Sequence, residues 1–401
     1  MKTMKVALLA TAALAAVSIS ARADDASALK AELAALNARV AQLEASPALP
    51  TGYSLLTIAE GQTSATPGLE VLHKDAVALG DKSTVIGIMP TADMPASTTI
   101  EWSGYVRAAI VYSKVQGYEK DTSIRTRGQL NVKAKTDTSV GEIGVKIGLR
   151  VNGTTLDVNN GVVSNEYWGY WAMTPELTLA GGYTGSLGNI GYGYDGACSC
   201  YYTDNADAAF NPGDSKQMRL SYASGPLSMA IAVEDATRDF LSASGGSVFG
   251  GGDSDLGVAA ELKYTGDAFN GEISAVWRNS SFAGESDPYQ IGAGIGFSLG
   301  DMASISLAAA TGKLYNNQKF YGASVLASAN LSEAIRAELG VAYKNYNNVT
   351  PLNRQDVFSV LGGLYYEPVS QLTIGLEGEY TNPKGSNNNG ATVDLVTVFR
   401  F

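Results

Sequence analysis

The sequence predicts an all-β membrane protein: a transmembrane antiparallel up-and-down β-barrel of about sixteen strands, preceded by a short N-terminal coiled-coil helix. Three observations point there. Segments of period-two alternation recur between Thr98 and Phe401. Their connections alternate between tight turns and long polar stretches. The composition, with 45 Gly, 21 Tyr and 17% charged residues at a mean hydropathy near zero, carries less charge than a soluble enzyme of this length.

The chain opens with Lys2 and Lys5 ahead of an apolar stretch from Val6 to Ile19 that ends at Ala21-Arg22-Ala23. This is the pattern of a secretory leader with an A-x-A cleavage site, so residues 1–23 are set aside from the fold. No apolar run in the remaining chain is long enough for a helical span. A bilayer protein of this kind therefore has to be a barrel, in which every backbone polar group finds a partner. Without Lys2, Lys5 and Arg22 the formal net charge moves from −11 to −14, which argues against nucleic acid as a partner. One histidine, His73, and two cysteines, Cys198 and Cys200, supply neither a disulfide framework nor a His-rich metal site. No cofactor is expected.

Residues 24–46 carry Leu29, Leu33, Leu36, Val40 and Leu43 at spacings that alternate between four and three, the a/d pattern of a heptad repeat. A short periplasmic coiled coil follows, with Arg39 at g and Glu44 at e placed to pair between chains. The alternative is a single amphipathic helix lying on the barrel. Pro47 and Pro50 end this helix. Residues 47–97 then mix short apolar runs with prolines and show no clear period. They form a linker that could line the periplasmic mouth, enter the lumen or fold separately.

The barrel spans 98–401. In DTSIRTRGQLNVKAKTDT the odd positions Arg125, Arg127, Gln129, Asn131, Lys133 and Lys135 share one face, while Ile124, Thr126, Leu130, Val132 and Ala134 share the other. EIGVKIGLRVNG repeats the pattern, with Glu142, Lys146, Arg150 and Asn152 opposite Ile143, Val145, Ile147, Leu149 and Val151. QLTIGLEGEY sets Thr373, Glu377 and Glu379 against Leu372, Ile374, Leu376 and Tyr380. Alternation alone also fits a soluble sandwich, and the connections decide. TPE, SGP, GD and EPVS are tight, whereas 153–164, 187–214, 238–255, 280–287, 312–319, 345–355 and 383–389 are long and polar, the asymmetry of outer-membrane barrels. Trp102, Tyr112, Tyr167, Trp168, Tyr170, Trp171, Trp277, Tyr343, Tyr365 and Tyr366 cluster near strand ends, as interfacial aromatics do, some of them facing the lumen.

TTIEWSGYVRAAIVYS, which opens the barrel, and DLVTVFRF, which closes it, resemble the trimeric outer-membrane general porins of alphaproteobacteria. In the last strand Phe401 and Phe399, with Leu395 and Val393 on the same face, resemble the signature read by the barrel-assembly machinery. The resemblance implies a homotrimeric, water-filled channel in the outer membrane, surrounded by lipid, through which ions and small hydrophilic solutes diffuse passively. It also implies that a long loop, here residues 187–215, folds into the lumen. That loop would set Asp195, Asp204, Asp207 and Asp214 against a basic wall of Arg107, Arg125, Arg127, Lys133, Lys146 and Arg150. Opposed charges across a narrow gap align polar solutes. The net acidity of the chain inclines such a pore weakly towards cations.

The loop aspartates lack the ordered spacing of a calcium loop, and no metal is expected. Cys198 and Cys200 are expected as a strained local disulfide or an unpaired thiol pair. Hydrolases built on outer-membrane barrels use a histidine base, and 98–401 contains none, so no enzyme is expected. Two other functions fit the pattern. One is a channel specific for a sugar or an anionic nutrient, which Tyr192, Tyr194, Tyr201 and Tyr202 would favour. The other is a structural protein tethered to the cell wall.

Overall fold

The computed structural model describes residues 55–62, 64, 66–69, 82–89, 97–153, 162–203, 210–235, 256–279, 286–314, 317–347, 356–384 and 389–401. The leader, the heptad run from Leu29 to Leu43, His73, Asp204 and Asp207 lie outside them. Strands β1 (Leu55–Gln62) and β2 (Lys82–Met89) precede the barrel. The barrel begins with β3 (Thr98–Val115), β4 (Asp121–Thr138), β5 (Gly141–Gly153), β6 (Val162–Ala172) and β7 (Leu177–Gly185). After a short helix, α1 (Gly193–Ala197), come β8 (Asp214–Ser224), β9 (Leu227–Asp235), β10 (Leu256–Thr265), β11 (Phe269–Arg278) and β12 (Tyr289–Leu299). The last six are β13 (Ala303–Lys313), β14 (Lys319–Ser332), β15 (Ile335–Asn347), β16 (Asp356–Val369), β17 (Leu372–Lys384) and β18 (Gly390–Arg400).

Each strand from β3 onward pairs antiparallel with the next. β18 returns to β3, from Gly390 opposite Val115 to Arg400 opposite Tyr105, and closes a barrel of 16 strands. Closure leaves the barrel without a free edge, the condition for crossing a bilayer with strands.

The barrel is inside out relative to a soluble protein. Ile143, Val145, Ile147 and Leu149 of β5 are exposed on the outer surface, as are Ile374, Leu376 and Tyr380 of β17. The buried positions on the intervening parity include Arg107, Gln129, Asn131, Lys133 and Lys146 on the first three barrel strands and Thr373 and Glu377 on β17. Apolar side chains facing outward are stable only where the surroundings are themselves apolar. The exposed aromatics form two belts. Trp171, Tyr222, Tyr264, Phe269, Phe297, Tyr366 and Phe399 ring the end with short turns, and Tyr112, Trp277, Tyr321, Tyr343, Phe358 and Tyr380 ring the end with long loops. Trp168, Tyr170 and Tyr365 are lumen-facing members of the aromatic group. They are 3%, 4% and 0% exposed and point inward, because each sits on the lumenal parity of its strand.

The aperiodic region before the barrel contains β1 and β2, which pair with each other from Leu55–Met89 to Gln62–Lys82. β2 continues onto the first residues of β3, from Thr84 opposite Trp102 to Ile88 opposite Thr98. Phe401 and Gly104 exchange backbone hydrogen bonds just above. β3 thus offers one edge to two strands in succession, β18 along its upper part and β2 along its overhang at the short-turn end.

Candidate pore constriction

The connection from β7 to β8 does not remain outside the barrel. It turns down into the lumen, and the inner wall receives it on a row of buried carboxylates. Glu234 on β9 accepts the Ser186 hydroxyl at 2.8 Å and the Leu187 N–H at 3.0 Å. Glu272 on β11 accepts the Gly191 N–H at 2.7 Å. Glu338 on β15 accepts both the N–H and the hydroxyl of Ser199 at 2.9 Å. Glu377 on β17 accepts the Tyr201 N–H at 3.0 Å and the Thr203 hydroxyl at 2.8 Å. These four acids are 0–6% exposed. A buried carboxylate is stable only when its lone pairs are taken up, and hydrogen bonds to charged acceptors are the strong ones.

Between these anchors Ser306 and Ser324 accept the N–H groups of Gly193 and Tyr194 at 2.8 and 3.1 Å. Gly193 has φ +75°, and a Cβ there would meet Ala308 Cβ at 2.8 Å, so glycine is what lets the loop lie against the wall. The returning limb is held by Gln290, which donates to the carbonyls of Gly188 and Phe210, and by Arg278, which bridges the Pro212 carbonyl and Glu234. Leu187, Ile190 and Phe210 pack against Val276 and Phe320, while Tyr194, Cys198 and Cys200 pack against Leu326 and Leu361. Cys198 and Cys200 form a disulfide, so the thiol-pair alternative does not apply. Ser199 between them is the residue presented to Glu338.

The loop tip faces the β3–β6 wall across a cavity of about 480 Å³, lined on the loop side by Ser199, Cys200, Tyr201 and Tyr202 and on the wall by Arg107, Arg125, Arg127 and Arg150. Arg107 and Arg127 stand directly opposite in the β3–β4 register, and Gln129 opposes Arg150 in the β4–β5 register. Like charges so placed repel. The guanidinium groups are held by neutral partners. Arg127 donates to Asn152 at 2.6 Å, and Arg150 donates twice to Gln129 at 3.1 and 3.0 Å. Arg107 lies over the Tyr202 ring at 4.4 Å and over Tyr201 at 5.6 Å. Tyr201 accepts from Arg400 at 2.9 Å, and burial holds its phenol above the ordinary tyrosine range.

Among the described residues, none of these four arginines has a carboxylate within ion-pair distance. Buried Arg107 also keeps its Nε unpaired. The acids lining the cavity are Glu166, which is tied to Lys146 at 2.5 Å, Glu261, tied to Lys263 at 3.0 Å, and Asp214 at the rim. Asp394 acts on Arg107 and Arg125 through space but is 1% exposed and lies outside the lining.

The residues expected to form the site are therefore only partly brought together. Arg107, Arg125, Arg127 and Arg150 converge. Lys146 joins them as half of an ion pair. Lys133 does not line the cavity: it lies towards the short-turn end and donates to the hydroxyl and carbonyl of Ser64 at 2.8 and 3.3 Å. Asp214 reaches the cavity, and Asp195 lies on α1. The anchoring acids Glu234, Glu272, Glu338 and Glu377 were not singled out from sequence as the groups that hold the loop. A signal exists for Glu234, the one charge on a lumenal parity otherwise made of Ser228, Ala230 and Ala232, but not for the other three, whose parity also carries Arg278, Arg336 and Lys344, or Glu379.

No protein-family model and no curated protein matches the sequence. Among solved structures the chain is similar to the outer membrane channel DcaP of Acinetobacter baumannii, with 15% identity over 76% of this chain and 98% of that one and a TM-score of 0.61. It is similar to the anion-selective porin from Comamonas acidovorans, with 12% identity over 76% and 100% and a TM-score of 0.60. A third is the outer-membrane-expressed OmpT of Vibrio cholerae, with 12% identity over 77% and 99% and a TM-score of 0.54. At these identities the likeness is one of fold.

Proposed function

We propose that the chain is an outer-membrane porin, a water-filled channel for passive diffusion of ions and small hydrophilic solutes, with a preference for anions. One observation carries the reading: a closed barrel, apolar outside and charged inside, whose lumen is narrowed by an anchored loop to a cavity lined by four arginines that have no carboxylate within ion-pair distance among the described residues. Narrow charged constrictions in low-dielectric walls select by width and by sign. The acids that make the whole chain negative need not set that sign locally, because among the described residues Glu234, Glu272, Glu338 and Glu377 hold the loop and Glu166 and Glu261 pair with lysine.

In this reading the short-turn end faces the periplasm, as in outer-membrane barrels. We infer that the N-terminal extension lies on the periplasmic side too, a reading supported by the addition of β2 to β3 at that end. The protein forms a homotrimer, supported by the resemblance and by the association-prone heptads. Phe399 and Phe401, both on the outer face, serve as the assembly signal. The fold neighbours named above include a channel and a porin, which supports the reading. A second reading, a channel specific for one class of anionic solute, is favoured by Tyr201 and Tyr202 beside the arginines. Liposome swelling separates the two. Non-saturable entry of many small solutes, faster for anionic than for neutral ones of one size, supports general diffusion, saturable entry of one anion supports the specific channel, and no swelling with any solute would refute both.

A further inference from the structure

After β1, the described residues Ser64 and Thr66–Leu69 are held against the inner wall of the barrel. The first anchor of this segment is Ser64, at β3 and β4. The Ser64 hydroxyl donates to Glu101 at 2.6 Å, its N–H donates to the same carboxylate at 3.1 Å, and Lys133 donates to its oxygen atoms. Its second anchor is at β6, β7 and β8. Leu69, 5% exposed, packs in a cluster with Trp168, Tyr170 and Ala180. The Gly68 carbonyl accepts from Arg219 at 3.1 Å. Arg219 is in turn held over the Trp168 ring at 5.2 Å. Between the anchors the chain makes a tight turn, closed by the Leu69 N–H on the Thr66 carbonyl at 2.9 Å. Gly68 has φ +72°, and a Cβ there would stand 3.1 Å from Thr178 and 3.3 Å from Ala180, so the turn is fitted to the wall through a residue that only glycine fills without strain.

Leu69 lines the same cavity as Arg107, Arg125, Arg127 and Arg150. We propose that the Thr66–Leu69 turn is a second, specificity-determining constriction, which floors the arginine cavity on the short-turn side as the inserted loop bounds it from the opposite wall. The inference rests on the pore reading above. It adds that a small anion is held between two constrictions before it leaves, and that the size limit belongs to both. The turn also occupies Lys133 and Arg219, so the free positive charge of this half of the lumen is concentrated in the four arginines above it.

The test uses the full chain carrying Leu69→Cys. Since Cys198 and Cys200 are paired, the introduced thiol is the reactive one, and it is labelled with a small sulfonate-bearing thiol reagent during planar-bilayer recording. Labelling is expected to lower the single-channel current about twofold and to shift the reversal potential towards cations. Complete modification by mass with current and reversal potential unchanged overturns the proposal, as does a thiol that the reagent never reaches in the conducting channel. Gly68→Val provides a second perturbation and is expected to dislodge the turn and raise the size limit for neutral sugars. An unchanged limit in the folded variant counts against it equally. If the unmodified protein itself conducts nothing, the pore reading has failed rather than this one.

Discussion

Glu338→Gln is the sharpest single test of how the constriction is held. The carboxylate is 6% exposed and takes two hydrogen bonds from Ser199, both at 2.9 Å, besides an ion pair with Arg336. The amide preserves volume but offers one acceptor oxygen, and it turns an NH₂ group towards the second donor. A hydrogen bond to a charged acceptor contributes about 1.5–3 kcal/mol, so losing one and weakening the other costs the docked loop tip about 3 kcal/mol. That is about a hundredfold in the ratio of docked to released tip. Arg336 keeps Glu367 as a partner at 3.1 Å, so no buried charge is orphaned and the barrel stays intact. Single-channel recording reads the outcome directly, as excursions from the main open level to a larger one, rare in the parent and frequent in the variant. A folded variant with parental conductance and open-level noise would refute the claim that this carboxylate holds the tip.

Other consequences follow from the same geometry. Reducing the Cys198–Cys200 disulfide frees the segment that presents Ser199 to Glu338, so open-level noise should rise on adding reductant and fall on reoxidation, with no change in barrel content by circular dichroism. Ile147→Arg places a charge on the outer face within the span, where Ile147 is 45% exposed. Denaturant titration in lipid vesicles should show a loss of about 2–4 kcal/mol. Removing Phe401, exposed on the last strand, should reduce the yield of assembled barrel in the outer membrane without altering the conductance of the molecules that do assemble.

The sequence made the barrel legible where one face is uniformly apolar. In β4, β5 and β17 a period of two admits one orientation only, and a one-residue slip would bury every charge in lipid. β1 and β2 were not legible. LLTIAEGQ and KSTVIGIM are short, and their place depends on β18 ending opposite Gly104, a register no local pattern encodes. Trp168 and Tyr170 were read with the interfacial aromatics from their nearness to a strand end. Parity was the better guide, since it puts both on the face of Glu166. The inserted loop was legible through its length and the resemblance, but its anchors read as ordinary lumenal charges. Their partners are backbone N–H groups, which carry no residue signature. The proposed preference for anions differs from the inclination of the net charge because that sum includes acids such as Glu234 and Glu377 that hold the loop, and a permeating ion responds to the charges that face it.

The central claim, a diffusion pore whose sign is set by arginines held by neutral partners, is tested most directly by reversal potential in a planar bilayer under a salt gradient, before and after changing Arg125 and Arg127 to Ser. The account predicts a parental channel that favours the anion, a shift towards the cation in the double variant, and a shift that shrinks as salt rises. A silent bilayer, or a parental channel that favours cations and is indifferent to the substitutions, would contradict it.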